Sequence, residues 1–125
     1  MLIEQSSDLV RECHRVSLAS SQEAEAAVLI NNTVLVISAD ALALFSSLES
    51  IGDVLGNGLL ESVAIPAPGR LSTGYPYIAE YRAGFVGLSD GKVLLIGLND
   101  VRLFGNSNDA LRNDNEIVRL PLQTG

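Results

Sequence analysis

The stretch from Ala27 to Leu55, AVLINNTVLVISADALALFSSLESIGDVL, constrains this chain most. Two apolar runs, Ala27–Ile30 and Thr33–Ile37, flank Asn31-Asn32. Asparagine tolerates positive φ better than most residues, so the pair suits a tight two-residue hairpin turn. Ser38 then offers an N-cap, with Asp40 in the first turn facing the positive end of a helix dipole. Leu44, Leu48, Ile51 and Leu55 recur at spacings of four, three and four, the period of a helix with one buried stripe. This reading makes a hairpin apolar on both faces, followed by an amphipathic helix over Ala39–Leu55.

The flanking segments extend the pattern. Ser6, Ser7 and Asp8 can cap a first helix over Ser7–Leu18, with Leu9, Cys13 and Val16 on one face. The rival for that segment is a strand at Arg15–Ala19, where Val16 and Leu18 alternate with polar residues. Gly56-Asn57-Gly58 ends the second helix, and Leu59–Ile65 reads as a short strand. Pro66-Ala67-Pro68-Gly69 opens an irregular loop that runs to Pro76, long enough to suggest function. Beyond it, Tyr77–Leu88 reads as one strand or two, bulged at Gly84 or Gly87. Asp90-Gly91 is a hairpin-turn dipeptide, Lys92–Leu98 returns, and Val101–Phe104 follows. Gly105–Asn115 is a polar loop, and Glu116–Leu120 is a last strand before Pro121. No internal repeat stands out.

The order helix, hairpin, helix, meander predicts an α+β domain spanning residues 1–125: one antiparallel sheet with two helices packed on one face. That order resembles the roadblock and profilin-like folds, which also pair an early hairpin with a helix and a later meander. The resemblance is of fold alone and implies no function.

Composition narrows the function. Fifteen acidic residues against 8 basic ones give a net charge of −7, and the basic residues do not cluster. Nucleic-acid or anionic-membrane binding, which needs Lys and Arg to meet phosphates, is therefore disfavoured. No apolar run approaches the roughly 20 residues of a membrane-spanning helix. The first residues hold early acids and no long apolar run, unlike a signal peptide. A cytoplasmic protein is expected. The lone Cys13 cannot form an internal disulfide or a multi-cysteine zinc site.

Chemistry-bearing motifs are few. Cys13-His14 pairs a thiol with an imidazole, but neighbours on a helix point about 100° apart, so neither can serve the other in a pocket. His14 is the only histidine, and no spacing suited to a metal site accompanies it. Asn106, Asn108, Asp109, Asn113, Asp114, Asn115 and Glu116 offer oxygen ligands without the calcium-loop pattern, and ordinary turn chemistry accounts for them. GDVLGNG at Gly52–Gly58 lacks the spacing and lysine of a phosphate loop. No cofactor, metal or catalytic residue is assigned.

A binding surface is the remaining candidate. The three tyrosines, Tyr75, Tyr77 and Tyr81, fall close together. On one extended strand Tyr77, Tyr81 and Phe85 would share a face, with Glu80 and Arg82 on the other. Tyrosine suits places where one end is dry and the other wet. The expectation is a non-catalytic protein-interaction or regulatory module whose partner is a second copy, through an open sheet edge. Its binding residues would be Tyr75, Tyr77, Tyr81, Arg82 and Glu80. The alternative is a small-molecule or enzyme pocket between the Tyr77–Phe85 face, the Pro66–Pro76 loop and a covering helix.

Overall fold

A computed structural model describes residues 9–20, 22–53, 55–66, 77–82 and 84–122. The described residues form two antiparallel five-stranded meanders. The first holds β1 (Val10–Ser17), β2 (Glu23–Leu29), β3 (Val34–Ile37), β4 (Ala41–Phe45) and β5 (Leu59–Ala64). The second holds β6 (Ile78–Arg82), β7 (Phe85–Leu88), β8 (Val93–Ile96), β9 (Asp100–Phe104) and β10 (Glu116–Pro121). A 3-10 turn at Leu48–Ser50 follows β4, and one short helix, α1 (Ser107–Arg112), follows β9.

The expected α+β architecture is therefore corrected to an almost all-β one. Neither expected helix forms, and the likeness to roadblock and profilin-like folds goes with them. Ser7–Leu18 contributes β1, closer to the strand rival. Ala39–Leu55 divides between β4 and the 3-10 turn. Its residues do not form one stripe: Leu44 points into the core between the sheets, Leu48 and Ile51 pack on the opposite face, and Leu55 is 78% exposed.

The misreading has a physical cause. Both faces of each sheet are covered, so the central strands are apolar on both sides instead of alternating with polar residues. Inward, Leu29, Leu35, Ile37, Leu42 and Leu44 meet Val86, Leu94, Ile96, Val101 and Leu103 in one shared core. Outward, Val28, Val34, Val36 and Phe45 pack under Leu48 and Ile51. In the second sheet Val93, Phe104 and Phe85 pack under Ala110 of α1. A two-sided apolar strand cannot be told from a buried helix by periodicity alone.

The two meanders are an internal repeat, which corrects the expectation that none exists. Val34-Leu35-Val36-Ile37 returns as Val93-Leu94-Leu95-Ile96, and Leu44-Phe45 returns at the same offset as Leu103-Phe104. The backbone repeats more faithfully than the side chains. The β1–β2 ladder skips a residue between Val10 and Glu12, and β6–β7 skips one between Ile78 and Glu80. The β4–β5 ladder shifts at Leu44/Phe45, and β9–β10 shifts at Leu103/Phe104. Bulges re-aim side chains and do not arise at matched places by pleating alone. The edge strands also meet their own counterparts, β1 beside β6 and β5 beside β10, as a two-fold relation between the halves requires.

The hairpin expectations hold, with one refinement of the turns. Leu29 N–H donates to Thr33 O at 2.8 Å, and Asn32 N–H to Leu29 O at 2.9 Å, with Asn32 at φ 71°. Leu88 N–H donates to Lys92 O at 2.9 Å, and Gly91 N–H to Leu88 O at 3.0 Å, with Gly91 at φ 91°. Each is a three-residue loop ending in a left-handed residue, not a two-residue turn. The stretch 105–115, read as plain loop, carries α1. Asn106 caps it by accepting Asp109 N–H at 2.9 Å, and Asn113 closes it in the left-handed region.

Candidate functional site

The expected tyrosine face is not one surface. Tyr75 lies outside the described residues. Tyr77 precedes β6, Tyr81 lies within it, and Phe85 sits on the next strand beyond a turn at Gly84 (φ 86°). The bulge between Ile78 and Glu80 also breaks the alternation. Cross-strand partners share a face, so Ile78 opposite Leu88 and Tyr81 opposite Val86 both lie on the inner face. Tyr77, next to Ile78, lies on the other. Glu80 is exposed, and Arg82 ends β6 opposite Phe85. Phe85 packs toward α1 with Val93 and Phe104. The pocket expected here required a covering helix, and the segment assigned to that helix is β4 and a 3-10 turn. The loop at 67–76 lies outside the described residues.

Cys13 and His14 stay apart for a different reason than the one expected: they are neighbours on a strand and face opposite ways. Cys13 is half-buried against the shared core, while the exposed His14 ring pairs with Glu12 Oε1 at 2.6 Å. Burial, and then the nearby Glu25 carboxylate, push the Cys13 thiol above its ordinary pKa. A nucleophilic cysteine needs the opposite shift. Among the described residues no group of three or more His, Cys, Asp or Glu could hold a metal ion. Asn106 and Asn113 cap α1, Asp109 pairs with Arg112 at 3.5 Å, and Asp114 Oδ1 accepts from Asn115 N–H at 2.9 Å. Glu116 is held below the usual carboxylate range by hydrogen bonds from the exposed Arg119, whose own pKa is raised in turn. That pair lies on the surface.

Among the described residues, a recess lies where the two meanders face each other at one end. It holds about 320 Å³ between Leu9, Leu29 and Ile30 of the first half and Ile96, Leu98 and Leu122 of the second, with Asn31, Gly97 and Asn99 at its polar margin. Its frame is main chain. Ile30 N–H donates to Leu9 O at 3.1 Å, tying the β2–β3 turn to the start of β1. Leu122 N–H donates to Asn99 O at 2.9 Å, tying the end of β10 to the β8–β9 turn. Asn31 Oδ1 accepts from Thr33 N–H at 3.1 Å and from Thr33 Oγ1 at 2.6 Å, which stiffens the first turn. None of the described residues that line the recess is charged, although the chain carries −7. Ile30 is 47% exposed and Leu98 73%. Chemically the recess offers aliphatic contact beside amide groups, with no acid, base or nucleophile among its described lining residues.

Sequence reasoning passed over these residues. The available signal was the presence of Ile30 and Leu98 at turn tips, where Gly, Asn, Asp or Ser is usual. No protein-family model, curated protein or solved structure matches this chain.

Proposed function

We propose that the protein is a non-catalytic interaction or regulatory module that associates with itself. The observation that carries this reading is the placement of apolar surface. The core between the sheets is filled from both sides, yet Ile30 and Leu98 remain exposed at turn tips beside a recess whose described lining is aliphatic and amide. Isolated exposed aliphatics are ordinary, but a group of them around a concavity is what contact surfaces present. The raised thiol of Cys13 and the separation of Cys13 from His14 also favour binding over chemistry. We place the protein in the cytoplasm as part of the same proposal; among the described residues no helix is long and apolar enough to cross a membrane.

The test is molar mass by size exclusion with light scattering, across concentration and at low and moderate salt. A dimer that tightens as salt screens the −7 charge is expected. A monomer under all conditions overturns the proposal.

A further inference from the structure

The internal repeat supplies a control for the recess. Matching the repeated strands and turns pairs Ile30 with Ser89, Asn31 with Asp90, Leu98 with Ala39 and Asn99 with Asp40. The hydrogen bonds match as well. Ile30 N–H to Leu9 O at 3.1 Å corresponds to Ser89 N–H to Tyr77 O at 2.8 Å. Gly97 N–H to Asp100 O at 2.8 Å corresponds to Ser38 N–H to Ala41 O at 3.1 Å. The same backbone therefore exists twice, at opposite ends of the sandwich, with small or acidic tips at one end and aliphatic or amide tips at the other. Serine and alanine satisfy the fold at these positions, so Ile30 and Leu98 are not there for folding.

We propose that this aliphatic end is where a second copy docks, with Leu98 and Ile30 of each copy entering the other's recess about a two-fold axis. The inference rests on the self-association reading and gives it a location. Two copies of a chain with net charge −7 repel, and opposed like charges weaken association. The contact is least opposed where few charges meet, and none of the described residues lining this recess is charged. Shape points the same way. A two-fold contact uses one patch on both copies, so that patch must hold both projection and cavity. Here the projection, Leu98 at 73% exposure, stands at the lip of a 320 Å³ recess floored by Leu29 and Ile96. The opposite end of the sandwich carries charged groups at its tips, Asp40 and the Asp90–Lys92 pair at 2.6 Å, which would have to be desolvated in such a contact.

The experiment compares the wild type, the double variant Ile30→Ser with Leu98→Ala, and Leu111→Ala, a control at an exposed leucine on α1. Each is followed by sedimentation velocity over a concentration series and by native mass spectrometry. The double variant carries the residues its own repeat uses, so its melting temperature should match the wild type. If it loses its cooperative melt, Leu98→Asp alone takes its place. The wild type and Leu111→Ala should dimerise alike, with the variant's dissociation constant raised about tenfold or more. A wild type that is monomeric throughout overturns the self-association reading and the location together. A wild-type dimer that the double variant forms equally well overturns the location only. A monomer that carries a co-purified neutral molecule, lost in the double variant, overturns the proposal by giving the recess to a small ligand.

Discussion

Replacing Gly84 by alanine tests the tightest backbone approach near the recess. Gly84 has φ 86°, a region that costs an L residue about 1–2 kcal/mol. A Cβ there would also lie 2.7 Å from Ile96 O, well inside ordinary carbon–oxygen contact. The oxygen has little freedom to withdraw. Ile96 ends β8, which is paired on both sides, and its N–H donates to Gly84 O at 2.7 Å. Relieving such an overlap in a packed interior costs about 1–3 kcal/mol. Gly84→Ala should therefore destabilise by about 2–5 kcal/mol, a fall in melting temperature on the order of 10 °C. Gly91→Ala separates the two contributions: its φ is 91°, but a Cβ there meets nothing within 4 Å. It should cost only the dihedral component, about 1–2 kcal/mol. Urea denaturation of both variants reads the difference. Equal destabilisation would refute the close approach of Gly84 to β8.

Two further outcomes are expected. Cys13 should react with iodoacetamide more slowly than a free thiol at neutral pH, because its pKa is raised; its raised folded pKa contributes stability that is complete below the ordinary thiol pKa and is lost as pH rises through the folded value. A wild-type rate equal to that of a free thiol, or a Cys13→Ser variant with the same alkaline stability profile as wild type, would contradict this. The halves 9–66 and 77–122, expressed separately, should each lack a cooperative melt, because Leu35, Leu44, Leu94 and Leu103 complete one core only together; mixing should restore the melt, and two halves that melt cooperatively alone would refute the shared core.

The halves also show what was legible in the residues and what was not. Hairpins were legible because their turn chemistry is local. Asn31-Asn32 and Asp90-Gly91 announce the turns, and Asn32 and Gly91 take the left-handed conformation those residues allow. The strands at Leu59–Ile65, Lys92–Leu98, Val101–Phe104 and Glu116–Leu120 were legible to within a few residues. The repeat was legible too, in Val-Leu-Val-Ile and Val-Leu-Leu-Ile followed by Leu-Phe, but the differing intervening residues hide it unless the chain is compared with itself. The recess was not legible: Leu9 and Leu122 lie far apart in the chain, and only the facing of the two halves makes them neighbours.

The sequence by itself determined the turns at Asn31-Asn32 and Asp90-Gly91 and the net acidity of the chain, and it carries no local catalytic motif. Each of these depends on residues adjacent in the chain or on the simple sum of charges. Tertiary structure alone decided between helix and strand at Ala39–Leu55 and at Ser7–Leu18. There alanine and leucine suit either state, and pairing across β1–β2 and β3–β4 outweighs the helical preference of the segment. It also decided that Leu98 stands exposed at its turn while Ile96 and Val101 on the strands it joins are buried, because burial depends on which faces meet and no single segment carries that information.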